Sequence, residues 1–226
     1  MIGKYRDLIF VTSTLKGKKR SKNQDDILII DEDKYYLFIL FDGVSSSNNS
    51  YDFIQVCKRF IRKNHLKYLK DEIRLSELLY DTHCSSIKNL QKEKGFSTCS
   101  AICILKEDLT AYYFNIGDSR IYEYSNQFLE QITHDDNLPG NSNYLTKFLG
   151  SLEMIKADFK QEKIDLKHGI LMGSDGFYTL MERKRKLYFP ILQFKKPKNI
   201  INAIERLQRG INNDDSTYII IKKNGI

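Results

Sequence analysis

The sequence contains three prolines among 226 residues, and nowhere do glycine and serine run together as a linker. Nothing therefore marks a domain boundary, and the chain reads as one domain over residues 1–226, long enough to bury a sizeable core. Long apolar runs are missing too. None approaches the ~20 residues needed to span a bilayer, so no membrane partner is expected. The opening stretch MIGKYRDLIFVTST lacks the apolar core of a signal peptide, which points to the cytoplasm. Cysteine is scarce: Cys57, Cys84, Cys99 and Cys103 form no C-x-x-C pair. That argues against a zinc site, and a cytosolic setting argues against disulfides, leaving reduced thiols. No G-x-S-x-G or catalytic-cysteine signature occurs either.

Charge is the opposite case. The formal net charge is +7, which suits nucleic acid or an anionic substrate. The lysines, however, are spread along the whole chain rather than gathered into a stripe. The densest basic stretches, LKGKKRSK (15–22) and ERKRK (182–186), read as solvated loops. Nucleic acid is therefore not an expected partner, and a two-metal nuclease stands only as a rival reading.

Hydrophobic periodicity supplies the elements. RDLIFVTST, DDILIID and KYYLFILFD read as strands, the last two joined by the turn DEDK. Between about Tyr51 and Gln91 apolar residues recur at helical spacing, predicting two helices broken near LKDE. STCSAICIL, LTAYYFNIG and SRIYEYSN are strands, with Cys99 and Cys103 on one side of theirs. NYLTKFLG predicts a short helix closed by Gly150, and MIKADFKQEKI and HGILMGSD predict strands. PKNIINAIERLQRG is an amphipathic helix stopped at Gly210, and STYIIIKK a final strand. This order suggests two packed antiparallel sheets flanked by helices, an α+β arrangement.

Acids stand at the ends of these strands. Asp25 precedes ILII, Asp42 follows LFILF, Asp118 lies at a strand junction, Asp175 follows ILMGS, and Asp214 precedes STYIII. Asp42 and Asp175 are each followed by glycine. A single Asp-Gly is a common turn, but the set fits hard-cation binding. Mg²⁺ and Mn²⁺ take oxygen ligands in near-octahedral geometry and keep several waters, so a few rigidly held carboxylates suffice. Two ions sharing a water lower its pKa and clamp an in-line displacement at phosphorus. Arg20, five residues before Asp25, offers a planar fork for two phosphate oxygens.

With these motifs in place, the chain resembles the metal-dependent type 2C (PPM) serine/threonine protein phosphatases. RSKNQD resembles that family's R-x-x-N-Q/E-D element, LFDGVSSS its D-G strand end, and GFSTCSAICIL its G-S/T-T-A segment. NIGDSRIY matches G-D-S-R-x-Y, LMGSDGFYTLM matches L-x-S-D-G-L, and NNDDSTYIII is similar to D-N-x-T-V-I. QITHDD and YLTKFLG are similar to L-T-x-D-H and I-T-R-A-L-G. The resemblance runs in family order from Arg20 to the C-terminus. It implies a four-layer αββα sandwich with a two-metal site at one end of the sheets. Two Mn²⁺ or Mg²⁺ ions, with a weaker third, would be the cofactors. Asp42 would bridge both ions, the Gly43 carbonyl would bind one, and Asp175 and Asp214 would complete the other. Asp25 would act through water or near the first ion, Asp118 would hold the third, and Arg20 would hold the substrate phosphate. The implied reaction is hydrolysis of phosphoserine and phosphothreonine by metal-bridged water, on a phosphoprotein partner and in opposition to a Ser/Thr kinase.

The chain departs from that pattern at several points. Val44 stands where a His often follows D-G, Ser45-Ser46 replace the Gly pair, and Asp215 replaces the usual Asn. Thr179 occupies the place of a further Asp, so the third ion is expected to bind weakly. The segment between His134 and Tyr144 is short, which implies an open site. Ser45, Ser46 and Thr179 motivate the alternative of a catalytically impaired pseudophosphatase serving as a binding or regulatory module. His65, His83 and His168 show no ligand spacing, and His134 reads as a surface residue.

Overall fold

The computed structural model describes residues 1–5, 8–47, 49–89 and 95–223. Arg6, Asp7 and Gln91, which the sequence reading placed at element ends, lie outside the described residues. The elements, in chain order, begin with strands β1 (Ile2–Tyr5), β2 (Leu8–Leu15), β3 (Asp26–Asp31) and β4 (Tyr35–Phe41). Helices α1 (Ser50–Leu69) and α2 (Leu75–Asn89) follow, then β5 (Cys99–Leu105), β6 (Thr110–Ile116), β7 (Arg120–Tyr124) and β8 (Leu129–Gln131). Next come β9 (Asn137–Leu138), β10 (Asn141–Leu145), a 3₁₀ turn (Lys156–Asp158), β11 (Gln161–Asp165) and β12 (Gly169–Gly173). The chain continues through α3 (Asp175–Arg183), α4 (Arg185–Ile191), α5 (Pro197–Gln208) and β13 (Ser216–Lys223).

The strands form a six-stranded sheet ordered β1-β2-β13-β12-β7-β8 and a five-stranded sheet ordered β11-β6-β5-β4-β3, with β9 and β10 as a separate pair. Every pairing is antiparallel. Side-chain alternation explains the layering, because successive strand residues face opposite sides. On β4, Leu37, Ile39 and Phe41 join a core with α1 and α2, whereas Tyr36, Phe38 and Leu40 enter a second core between the sheets. On β13, Ile219 and Ile221 face that inter-sheet core, while Tyr218 and Ile220 face a third core with α3, α4 and α5. Both strands are thus apolar on both faces, which is why they read as continuous greasy runs. The result is helices, sheet, sheet, helices: an α+β fold of two antiparallel sheets flanked by helices. Cys99 and Cys103 share one face, in the core under α1 and α2, and all four cysteines are free thiols. No helix among the described residues is long and apolar enough to cross a membrane.

Three sequence expectations are corrected. Residues 143–150 are not a helix. Their first part belongs to β10, and Leu149 exchanges backbone hydrogen bonds with Ser97 at 3.2 and 2.8 Å. Gly150 then turns at φ +98° with its Cα side against the Gly95 carbonyl. The bridge to Ser97, just before β5, outweighs the local apolar spacing. Of the strand expected over 154–164, only Gln161 onward is extended, and Lys156–Asp158 winds into the 3₁₀ turn. ERKRK is not a solvated loop but the junction of α3 and α4. There Glu182 accepts from Arg120 and Tyr122 at 2.8 Å each, and Arg185 donates to the Leu129 carbonyl.

Candidate metal and phosphate site

The antiparallel order brings the ends of β4, β12 and β13 and the β6–β7 junction to one edge of the sandwich. A cleft of about 240 Å³ opens there, lined by Asp42, Gly43, Asp118, Asp175, Asp214 and Arg20, with Val44, Ser45, Thr98 and Leu145 completing it. Asp25 does not line the cleft. It is 5% exposed and packs behind Asp42, near Ser174 and Thr217.

Each acid is held by its surroundings. Asp42 caps β4, and its amide and carbonyl are both tied to Thr98, at 3.3 Å to the hydroxyl and 2.9 Å from the amide. Ser97 adds a hydroxyl bond to the same carbonyl. Asp175 opens α3, where the helix dipole favours a negative charge, and its amide faces Asp42 Oδ2 at 3.5 Å. Asp118 accepts from the Asn137 side chain at 3.3 Å. The glycines after Asp42 and Asp175 are required by close approach. A Cβ on Gly43 would lie 2.6 Å from the Gln24 carbonyl oxygen, and one on Gly176 would lie 2.0 Å from that of Asp215.

Arg20 and Asp214, assigned separate partners in the sequence reading, meet each other. Nε and Nη2 of Arg20 donate to Oδ1 and Oδ2 of Asp214, both at 2.6 Å. The planar fork expected to face phosphate is thus matched to a carboxylate in the same geometry. Two further residues with site roles carried no assignment in the sequence reading. Asp215 is buried and accepts the Gly17 amide at 2.9 Å and the Gln24 amide at 2.8 Å, clamping both ends of the loop that carries Arg20. Arg120 pairs with Asp135 at 2.7 Å and Glu182 at 2.8 Å and lies 3.8 Å over the Tyr178 ring. It therefore locks α3, which bears Asp175, to the strand that follows Asp118. The GDSR motif holds this arginine, but its partners are far off in sequence. His134 is exposed, as expected.

The electrostatics follow from crowding acids in partial burial. Burial pushes the Asp25 carboxyl up to about 7, against hydrogen bonds from Thr217 and Ser174. Burial and then the Asp25 and Asp175 charges push Asp42 well above the carboxylate range. Burial, with Asp118 and Asp214 nearby, pushes Asp175 up to about 6. Asp25 Oδ2 is buried with no hydrogen-bond partner among the described residues. Among those residues no three His, Cys, Asp or Glu side chains are already gathered at ligand spacing. The donor chemistry nonetheless fits a hard divalent cation. It is all oxygen, it is mutually repulsive, and it includes an unsatisfied carboxylate oxygen.

No family model matches the sequence, and no curated protein does. Solved structures do match. The PPM Ser-Thr phosphatase MsPP from Mycobacterium smegmatis, crystallised with cacodylate, superposes with a TM-score of 0.76 at 19% identity, over 94% of this chain and 97% of that one. The serine/threonine phosphatase Stp1 from Staphylococcus aureus gives 0.74 at 18%, over 97% and 98%. The catalytic domain of the serine threonine protein phosphatase PstP, in complex with two manganese ions, gives 0.69 at 17%, over 96% and 98%. The chain thus has the fold of the PPM phosphatases, over nearly its full length.

Proposed function

We propose that the chain is a serine/threonine protein phosphatase dependent on Mn²⁺ or Mg²⁺, acting in the cytoplasm on phosphoproteins and opposing a Ser/Thr kinase. One catalytic domain, residues 1–226, would carry the activity. The observation that supports this reading is the meeting of Asp42, Asp118, Asp175 and Asp214 with Arg20 around one cleft. Asp42, the Gly43 carbonyl, Asp175 and Asp214 would hold two ions, and Asp118 a weaker third, since Thr179 offers only a hydroxyl. Such ions, when bound, supply the positive charge that offsets phosphate and acidify the attacking water.

The remaining work belongs to the chain. Asp25 buttresses Asp42 from behind. Arg20 grips two phosphate oxygens, its fork passing from Asp214 to the substrate and freeing that carboxylate. Asp215 keeps the Arg20 loop in register. Leu145 is shared with a neighbouring groove of about 670 Å³ that includes Phe53, Phe96, Tyr144 and Phe148. An apolar groove beside a phosphate cleft suits a polypeptide substrate better than a small phosphate ester.

The test is hydrolysis of a phosphothreonine peptide with Mn²⁺ and then with chelator. Turnover should vanish with the chelator and return with Mn²⁺, and turnover indifferent to the chelator overturns the metal dependence. The closed Arg20–Asp214 pair favours a second reading, a catalytically impaired binding module. That module would bind phosphopeptide without hydrolysing it under any divalent cation.

A further inference from the structure

A second cavity, of about 510 Å³, lies at the opposite end of the six-stranded sheet. The strand register separates the two sites. Gly173 and Ser216 end β12 and β13 beside the carboxylates, whereas Gly169 and Lys223 end the same strands beside this cavity. At ~3.3 Å per residue, the strand β12 alone holds them more than about 13 Å apart.

The lining is unlike that of the first site. Lys195, Lys222 and Lys223 line the cavity and no acidic residue does; by strand alternation Lys222 lies on the helix-facing side of β13 and Lys223 on the other. None of the ion pairs among the described residues includes any of the three. Lys222 is half-buried and donates to the Phe194 carbonyl at 2.9 Å. Burial lowers its pKa to about 8, and no neighbouring carboxylate offsets that cost. A partly desolvated ammonium without a counter-ion is expensive to keep, and an anion in the cavity would remove the expense.

The other walls are aromatic. Phe128 stands edge-on to His168 with ring centroids 5.0 Å apart. Tyr124 lies across the strand end, where a Cβ on Gly169 would come within 2.3 Å of its ring, so only glycine leaves the ring that place. The Gln193 side chain donates to the Ser125 carbonyl at 2.8 Å, tying the β7–β8 turn to the loop after α4 and fixing the rim. The volume falls within the ~300–1,000 Å³ of small-molecule sites. It combines flat apolar rings with clustered cations, the chemistry that recognises a phosphate and an aromatic ring in one molecule.

We propose that this cavity binds a nucleotide, with phosphate on Lys195 and Lys222 and the base against Phe128 and His168. The proposal stands apart from the phosphatase reading, because its test needs neither turnover nor a metal.

Calorimetry of the full chain in chelator-treated buffer would compare ADP, adenosine and pyrophosphate. ADP should bind saturably, adenosine should fail, and pyrophosphate should bind more weakly than ADP. The double variant Lys195→Gln/Lys222→Gln should weaken ADP about tenfold or more, a loss of ~1.4 kcal/mol per decade. Glutamine at 222 keeps a donor for the Phe194 carbonyl, and a thermal melt of the variant checks its fold. Phe128→Ala should weaken ADP and leave pyrophosphate unchanged. The proposal is overturned by no saturable ADP binding, by adenosine binding as tightly as ADP, or by pyrophosphate matching ADP. Loss of ADP binding in Arg20→Ala but not in the lysine variant also overturns it, as does a preference for anionic vesicles or DNA over ADP.

Discussion

The two ends of the six-stranded sheet carry opposite charge on the same strands. At one end Asp175 and Asp214 crowd with Asp42 and Asp118 around a cleft whose single lining cation, Arg20, is already paired. At the other, three lysines share a cavity with no acid among its lining residues. Between them Ile170–Met172 of β12 and Tyr218–Ile221 of β13 are buried and apolar. The middle of each strand is therefore committed to packing, and chemistry collects where strands stop. Strand ends hold atoms rigidly while the adjoining loops remain free to choose side chains. Both ends accumulate like charges that packing alone does not justify, and each would be relieved by a ligand of the opposite sign.

The sharpest way to break this comparison is to neutralise one end at a time. Asp42→Asn or Asp175→Asn should lower kcat on a phosphothreonine peptide by about 10³-fold or more. Lys195→Gln/Lys222→Gln, at the far end, should leave it within about twofold. A reversed pattern would mean that the ends have been given the wrong roles. The shared middle should behave differently from either. Phe38 is fully buried between the sheets, edge-on to Phe10 with centroids 5.2 Å apart. Phe38→Ala should cost about 3–5 kcal/mol in denaturant unfolding and impair both ends together.

A smaller effect sharpens the electrostatic half of the contrast. Asp25 and Asp175 hold their protons to about 7 and about 6, above the ordinary carboxylate value of 3.8. A carboxyl whose folded pKa is raised contributes stability that is fully present below its unfolded pKa and lost as pH rises through the folded one. The metal-free chain should therefore lose several kcal/mol between about pH 4 and about pH 7, on the order of 1.4 kcal/mol for each unit by which a carboxyl is raised. Melts across that range with chelator should show the decline, and Mn²⁺ should reverse it at the upper end. Asp42→Asn should raise the metal-free Tm at neutral pH while abolishing turnover, the usual conflict between site and stability. The smallest effects should come from the phosphate grip. Arg20→Ala should mainly raise KM, by about tenfold. Asp215→Ala should do the same through the loosened Gly17–Gln24 loop, with kcat nearly unchanged.

Much of this was legible in the sequence for a physical reason. Strands buried on both faces leave unbroken apolar runs, so an acid at their ends is conspicuous, as at Asp42 and Asp175. Helical spacing placed α1 and α2 correctly because each packs one apolar stripe against a sheet. Apart from the local 3₁₀ turn at Lys156–Asp158, the failures were long-range. Residues 143–150 have helical spacing, but Leu149 pairs with Ser97, a partner some fifty residues earlier. The charged run at 182–186 looked solvated because Arg120, which engages Glu182, lies far away in sequence. The Arg20–Asp214 pair and the clamp by Asp215 span nearly the whole chain, so no local pattern announces them. The lysines of the far cavity were diluted by a sequence rich in lysine throughout.

Calorimetric titration of Mn²⁺ into the chelator-treated chain near neutral pH bears most directly on the acid end. Saturable uptake of about two ions, with protons released as the raised carboxyls ionise, is the expected result, and Asp42→Asn should eliminate it. Heat indistinguishable from dilution, or uptake that survives Asp42→Asn unchanged, would contradict the claim that these carboxylates form a cation cradle.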